Sequence, residues 1–224
     1  MGTVHLLEAV RQVATVRATI NVTSDKCYEN REWLWGYREG EAMGGHDPYS
    51  SSKGCSELVT SAYRNSFFKS KNIGLASARS GNVIGGGDWA ADRLVPDVLK
   101  AFEAGVPAPI RNPLATRPWQ HVLETLNGYL VLVERMYSDA SLMGAYNFGP
   151  LLSDTQSVRY IVDSSAKVLK SPLNIRYDED VNGYHEANLL TLDSSKAKNY
   201  LGICPRWTLN IALEKTFEWY VQLA

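Results

Sequence analysis

The sequence predicts an α/β fold built on a parallel sheet. Short strands of β-branched or small residues alternate with amphipathic helices. Polar or glycine-rich clusters follow the strand ends, where an open parallel sheet places its ligands. The 224 residues are 45% hydrophobic and 21% charged, enough to bury a sizeable core.

The elements follow in order. Met1–Arg11 reads as an amphipathic helix, with Val4, Leu7 and Val10 at helical spacing. Ala18–Thr23 is a β-branched strand ending in the polar cluster Thr23-Ser24-Asp25-Lys26, and a loop rich in Gly and Trp runs to His46. Asp47 caps the next helix and Pro48 suits its first position, so a helix is expected from Pro48 to about Phe68. Ile73–Arg79 is the next strand, followed by a glycine loop at Ser80–Gly87. Helices are expected at Leu94–Ala104, Glu124–Tyr137, Ser157–Leu169 and Leu209–Leu223, and short strands at Tyr146–Phe148, Asn174–Tyr177 and Leu189–Leu192. The later part is more broken, as a smaller lobe would be. A soft boundary falls near Gly81, with some return of the chain to the sheet around Arg117–Pro150.

Composition excludes several classes. Lys and Arg number 23 against 24 Asp and Glu, for a net charge of −1, so neither nucleic acid nor a membrane surface is an expected partner. No apolar run approaches the roughly 20 residues of a membrane span. No charged-then-apolar leader opens the chain, which is read as cytoplasmic. Three scattered cysteines and four histidines without ligand spacing predict neither a disulfide framework nor a metal site.

Four motifs carry the chemistry. Tyr49 and Lys53 are four residues apart on a helix, which places phenol and ammonium on one face. A nearby cation favours the phenolate, the form that accepts a proton. Alone, the pair could be a chance pattern on a solvated face. Ser24 and Asp25 stand where a strand ends and could converge on a sugar carbon, or form a polar turn. In Arg79–Trp89, glycines allow close backbone approach and Asn82 offers an amide; a flexible turn is the alternative. Gly85-Gly86-Gly87 does not open a helix in the dinucleotide-binding register. Arg117, before Pro118, could present its planar fork to a diphosphate or pair with a surface carboxylate. Trp33, Trp35, Trp89 and Trp119 could line a sugar or base pocket, with packing the commoner role; packing is expected for Trp207 and Trp219.

Taken together, TSDKCYEN, DPYSSSKGCSELV, ARSGNVIGGGDWAADRLVPD, ATRPWQHV, YNFGP and HEANLLTLDSSKAKNYLG resemble the nucleotide-sugar 4,6-dehydratases of the extended short-chain dehydrogenase/reductase superfamily. Lys26 directly after Asp25 resembles the CDP-glucose branch, where the dTDP-glucose branch carries Glu. The resemblance implies a partial Rossmann-like parallel sheet in residues 1–80 and a smaller mixed α/β nucleotide-sugar lobe in residues 81–224 with segments returning to the sheet. It implies NAD as cofactor and CDP-glucose as substrate, converted to CDP-4-dehydro-6-deoxyglucose for deoxysugar synthesis. It assigns proton abstraction at the sugar 4-hydroxyl to Tyr49, support of Tyr49 and contact with the cofactor to Lys53, and a bond to the C4 oxygen to Ser24. It makes Asp25 the acid for the departing 6-hydroxyl, Lys26 the base at C5, and Asn82 and Arg117 the diphosphate ligands; Arg93 and Arg111 are lesser candidates. His185-Glu186 would lie near the nucleotide end or in a surface turn. The helices of Met1–Arg11 and Pro48–Phe68 would meet a second subunit in a homodimer.

The resemblance also implies that the first βαβ units, with the Gly-rich turn that holds the pyrophosphate, lie ahead of Met1, on the order of 100 residues in relatives. The expectation is therefore a fragment, inactive by itself. A non-catalytic remnant that binds nucleotide sugar or dimerises is the competing reading, and an epimerase or reductase is a third.

Overall fold

The computed structural model describes residues 1–178 and 187–223. His185-Glu186 lies outside them. The chain runs α1 (Gly2–Gln12), β1 (Ala18–Val22), a 3-10 turn (Asp25–Cys27), α2 (Pro48–Tyr63), β2 (Gly74–Ser80), β3 (Asn82–Ile84), α3 (Leu94–Ala104), β4 (Ala108–Arg111) and β5 (Thr116–His121). It continues through α4 (Val122–Ser138), β6 (Gly144–Phe148), β7 (Thr155–Ser157), α5 (Val158–Leu169), β8 (Ile175–Asp178), α6 (Ser195–Leu201) and α7 (Leu209–Leu223).

The principal sheet has the order β1-β2-β6 and is parallel throughout. Its middle strand, β2, is buried along its whole length, and its small residues let helices approach from both sides. Ala76 and Ala78 face Leu132 and Met136 of α4. On the alternate positions, Leu75 packs with Leu7 and Val10 of α1, while Ser77 and Arg79 bond to Glu57 of α2.

A second sheet, β3-β5-β7, is parallel at its first pairing and antiparallel at its second, and β4 and β8 form a parallel pair. Their apolar residues join α3, α5 and α7 in a separate core around Leu99, Trp119, Ile161, Leu213 and Phe217.

The helix boundaries have local causes. Asp47 caps α2 by accepting from the Ser50 N–H at 2.9 Å, with Pro48 in the first turn. Ser157 caps α5 through the Tyr160 N–H. Gly105 ends α3 at φ 67°, a left-handed geometry that favours glycine.

Several expectations need correction. α2 ends at Tyr63, and a π-turn over Arg64–Phe68 follows, burying Phe68 beneath α1 and β2. The Ser80–Gly87 glycine loop contains β3, whose partner β5 lies far along the chain and leaves no local mark. Leu189–Leu192 forms no strand. Leu189 and Leu192 make single bridges to Thr116 and Tyr37, and the apparent alternation reflects Leu190 and Leu192 packing on Tyr28 and Tyr37. β4, β5, β7 and α6 were not expected as elements; β4, β5 and β7 are short and non-locally paired, and α6 has only seven residues.

Candidate active site

The carboxyl ends of β1 and β2 open into a cleft of about 730 Å³, the size range of small-ligand sites. Ser24, Asp25, Lys26, Tyr49, Asn82 and Arg117 all line it. Its far wall is the start of α3 together with β4. Residues 24–26 and Tyr49 thus meet at one opening, as the order β1-α2-β2 of a parallel unit requires.

Tyr49 stands in the first turn of α2 and is 55% exposed. Lys53 follows one turn later, its Nζ 5.5 Å from the Tyr49 ring centroid. Lys53 is half-buried behind Tyr49 and is not among the cleft-lining residues.

Ser24 and Asp25 form a compact unit. The Ser24 hydroxyl donates to Asp25 Oδ1 at 2.9 Å and accepts from the Lys26 N–H at 3.2 Å. Asp25 is buried, and its Oδ2 has no hydrogen-bond partner. That oxygen lies against Gly81, 3.1 Å from where a Cβ would stand. Burial pushes the Asp25 carboxyl above the ordinary carboxylate range; Lys26, the Ser24 hydroxyl and Arg117 oppose this without cancelling it. A carboxyl in that state is suited to giving a proton.

Asn82 opens β3, half-buried at the cleft wall. Arg117 is buried in β5, with its Nη1 donating to the carbonyls of Thr116 and Asn188. Arg93 and Arg111 also line the cleft, Arg111 with its Nη2 3.5 Å from Asp92.

The aromatics divide between the two roles the sequence left open. Trp119 lines the cleft, its indole N–H donating to Gln156 O. Trp33 stacks on Tyr37 with Trp35 beside it, and Trp89 packs edge-on to Tyr220. Gly86 approaches Trp219 rather than a ligand; a Cβ there would lie 2.2 Å from the indole.

Two features escaped sequence reasoning. Tyr129 of α4 lines the cleft and lies 2.6 Å from the Ser80 hydroxyl. Its spacing matched any helical core aromatic, so nothing marked it. Glu57, in α2, is buried against Arg79 at 2.7 Å. Glutamate is rarely buried, and only its position two turns after Tyr49 hinted at a role.

Comparison with known proteins places this architecture. The family model described as GDP-mannose 4,6 dehydratase matches residues 1–216. The chain belongs to this dehydratase family. A CDP-glucose 4,6-dehydratase of Salmonella typhimurium is 54% identical over 98% of this chain, which spans 63% of that relative. A dTDP-glucose 4,6-dehydratase of Streptomyces griseus is 25% identical, again over 98% of this chain and 63% of its own length. Among solved structures, dTDP-glucose 4,6-dehydratase from Bacillus anthracis in complex with NAD superposes with a TM-score of 0.84 at 22% identity, covering 99% of this chain and 67% of its own. UDP-glucuronic acid 4-epimerase from Bacillus cereus, in complex with UDP-glucuronic acid and NAD, gives 0.84 at 20% identity and the same coverages. The sheet β1-β2-β6 is thus part of the Rossmann-like sheet of the dehydratase family.

The fit to NAD is local. Tyr49 at the cleft, with the Lys53 ammonium 5.5 Å from its ring, offers a hydroxyl and a cation of the kind a nicotinamide ribose would need. Among the described residues, the glycines at 85–87 lead into an irregular segment before α3, which does not fit a pyrophosphate cradle.

Proposed function

We propose that this chain is the catalytic and sugar-binding part of an NAD-dependent CDP-glucose 4,6-dehydratase. The observation that carries the reading is Asp25: a buried carboxyl held by Ser24, with its second oxygen unpartnered, in a cleft that Tyr49 also lines. Simple epimerisation at C4 needs no acid to expel a hydroxyl. Dehydration does. The Salmonella relative, with 54% identity, supports CDP-glucose as the substrate.

The residues divide the work. Tyr49, with Lys53 beside it, accepts the proton of the sugar 4-hydroxyl. Ser24 hydrogen-bonds the oxygen at C4. Bound NAD, held at its nicotinamide end by Tyr49 and Lys53, would supply a hydride acceptor at C4 and donor at C6. The 4-ketone acidifies C5–H, and Lys26, when neutral, removes that proton. Asp25 gives its proton to the 6-hydroxyl, which leaves as water. Asn82 and Arg117 hold the diphosphate, one by an amide donor and the other by its charge.

We retain the two-part organisation, with residues 1–80 and returning segments forming the sheet and residues 81–224 the sugar lobe. The separate core around α3, α5 and α7 supports it. A homodimer through α1 and α2 is consistent with their outward Leu6 and Leu58. A cytoplasmic reaction that feeds deoxysugar synthesis of the lipopolysaccharide type completes the proposal.

The chain spans 63% of its Salmonella relative, so the test is turnover of CDP-glucose with NAD by the chain joined to the remainder of that relative, following the 4-keto product by its base-induced absorbance. Product with CDP-glucose is expected. Product only with dTDP- or GDP-glucose overturns the substrate. Tight binding of CDP-glucose by calorimetry without product makes the chain a binding module instead.

A further inference from the structure

The two strings that meet at the cleft belong to different elements, and something must set the distance between them. The inward face of α2 shows what does. Tyr49, Lys53 and Glu57 recur every four residues, so the stripe that begins at the cleft turns progressively into the core. At its inner end, the Glu57 carboxylate takes three bonds from two strands. Oε1 accepts from the Thr23 hydroxyl on the β1 side at 2.5 Å. Oε2 accepts from Ser77 at 2.6 Å and Arg79 at 2.7 Å, both on β2. Arg79 in turn donates to the Tyr28 hydroxyl at 2.8 Å, which donates to Asn147 Oδ1 of β6 at 2.7 Å. Asn21 of β1 adds bonds to Ser56 and Thr60 on the same helix face. Thr23 is the residue before Ser24.

We infer that Glu57 is a positioning residue: through Thr23 it fixes the Ser24-Asp25-Lys26 turn against the helix that carries Tyr49 and Lys53. The inference rests on the proposed roles of those five residues. An apolar contact would hold α2 on the sheet, but it would let the helix slide; a carboxylate bonded to two strands sets both height and rotation. Arg79 and Ser77 anchor Glu57 to the sheet. Thr23 carries its position directly to the start of the turn, while Arg79, through the Tyr28 hydroxyl, reaches the residue after it.

That division gives the experiment. Thr23→Val removes the transmitting hydroxyl at nearly constant volume and leaves the Glu57–Arg79 pair intact. Ser77→Ala removes one bond of the same carboxylate from the anchoring side, where Arg79 still holds Oε2. Both are expected to lower the melting temperature by similar amounts. Only Thr23→Val should lower kcat, by about tenfold with KM for CDP-glucose unchanged, the signature of misplaced reacting groups. Thr23→Ser, which keeps the hydroxyl, should restore kcat.

Hydrogen exchange gives a readout independent of turnover. The amides of Cys27 and Tyr28, bonded to the carbonyls of Ser24 and Asp25, should exchange about tenfold faster in Thr23→Val and at the unmodified rate in Ser77→Ala. Equal effects of the two variants on kcat and exchange, or no effect of Thr23→Val on either, overturn the inference. If the joined protein with Thr23 unmodified does not turn over CDP-glucose, the dehydratase reading is refuted, and the exchange contrast still decides whether Glu57 positions the turn.

Discussion

Two buried carboxyls lie on either side of Thr23, and their surroundings push them in opposite directions. Burial raises Asp25, so the folded state holds its proton more tightly than the unfolded chain does. Its stabilising contribution is complete below the unfolded value near 3.9 and is lost as pH rises through the folded value. Asp25→Asn is therefore expected to raise stability at pH 7 by on the order of 1 kcal/mol, the gain vanishing toward pH 4 in urea titrations, while turnover drops at least about 100-fold. Burial also works to raise Glu57, but the Arg79, Ser77 and Thr23 bonds outweigh it and leave its value lowered. That contribution is present above the unfolded value and lost as pH falls through the folded one. Glu57→Gln should cost about 3 kcal/mol at pH 7, because Arg79 stays buried without its counter-charge, and the penalty should shrink in acid. Tyr49→Phe removes the proposed proton acceptor and should abolish hydride transfer without moving the melting temperature, since the ring is mostly exposed. At this scale sequence reasoning named Asp25 but not Glu57. The Ser-Asp pair at a strand end reads by itself as a polar turn and was named only through the motifs around it, whereas a helical glutamate looks solvated until the helix is docked.

Helix α2 shows which elements could be read locally and which could not. Its start was legible because cap and proline act within one turn: Asp47 accepts from Ser50 N–H and Oγ. Asp47→Ala should cost about 1 kcal/mol, measured by thermal denaturation. Because Tyr49 sits in that same turn, kcat should fall with it. The helix end was misread because its cause is tertiary: Phe68 reaches the core through a π-turn whose partners, Leu7 and Leu75, lie on α1 and β2. β3, β5 and β7 share that difficulty, as three short strands that exist only by pairing with one another. The glycines of the Arg79–Trp89 segment could be read as allowing close backbone approach or as a flexible turn. Part of their function is packing: Gly86→Val would drive a side chain into Trp219 of α7 and is expected to destabilise the lobe by about 1–3 kcal/mol.

At the scale of the whole molecule, the cleft joins two cores that share little. One side is the parallel sheet with α2 and α4; the other is the lobe of α3, α5 and α7. Ser24 and Tyr49 stand on the first side, while Asn82, Arg93, Arg111 and Arg117 stand on the second or at the seam. A ligand with a sugar at one end and a charged linker at the other would touch both. Its binding would therefore stabilise the halves together, and mass action sets the size: about 2.7 kcal/mol at a ligand concentration of 100 times Kd. CDP-glucose is expected to raise the melting temperature and to protect amides on both sides of the cleft, β1 and α3 alike. Arg117→Ala should remove most of the shift, because the proposed diphosphate site loses its buried cation. Free CMP, lacking the second phosphate and the sugar, should give a much smaller one. Protection confined to one side would mean that the cleft does not bridge the two cores, and the division of labour between sheet and lobe would fail with it.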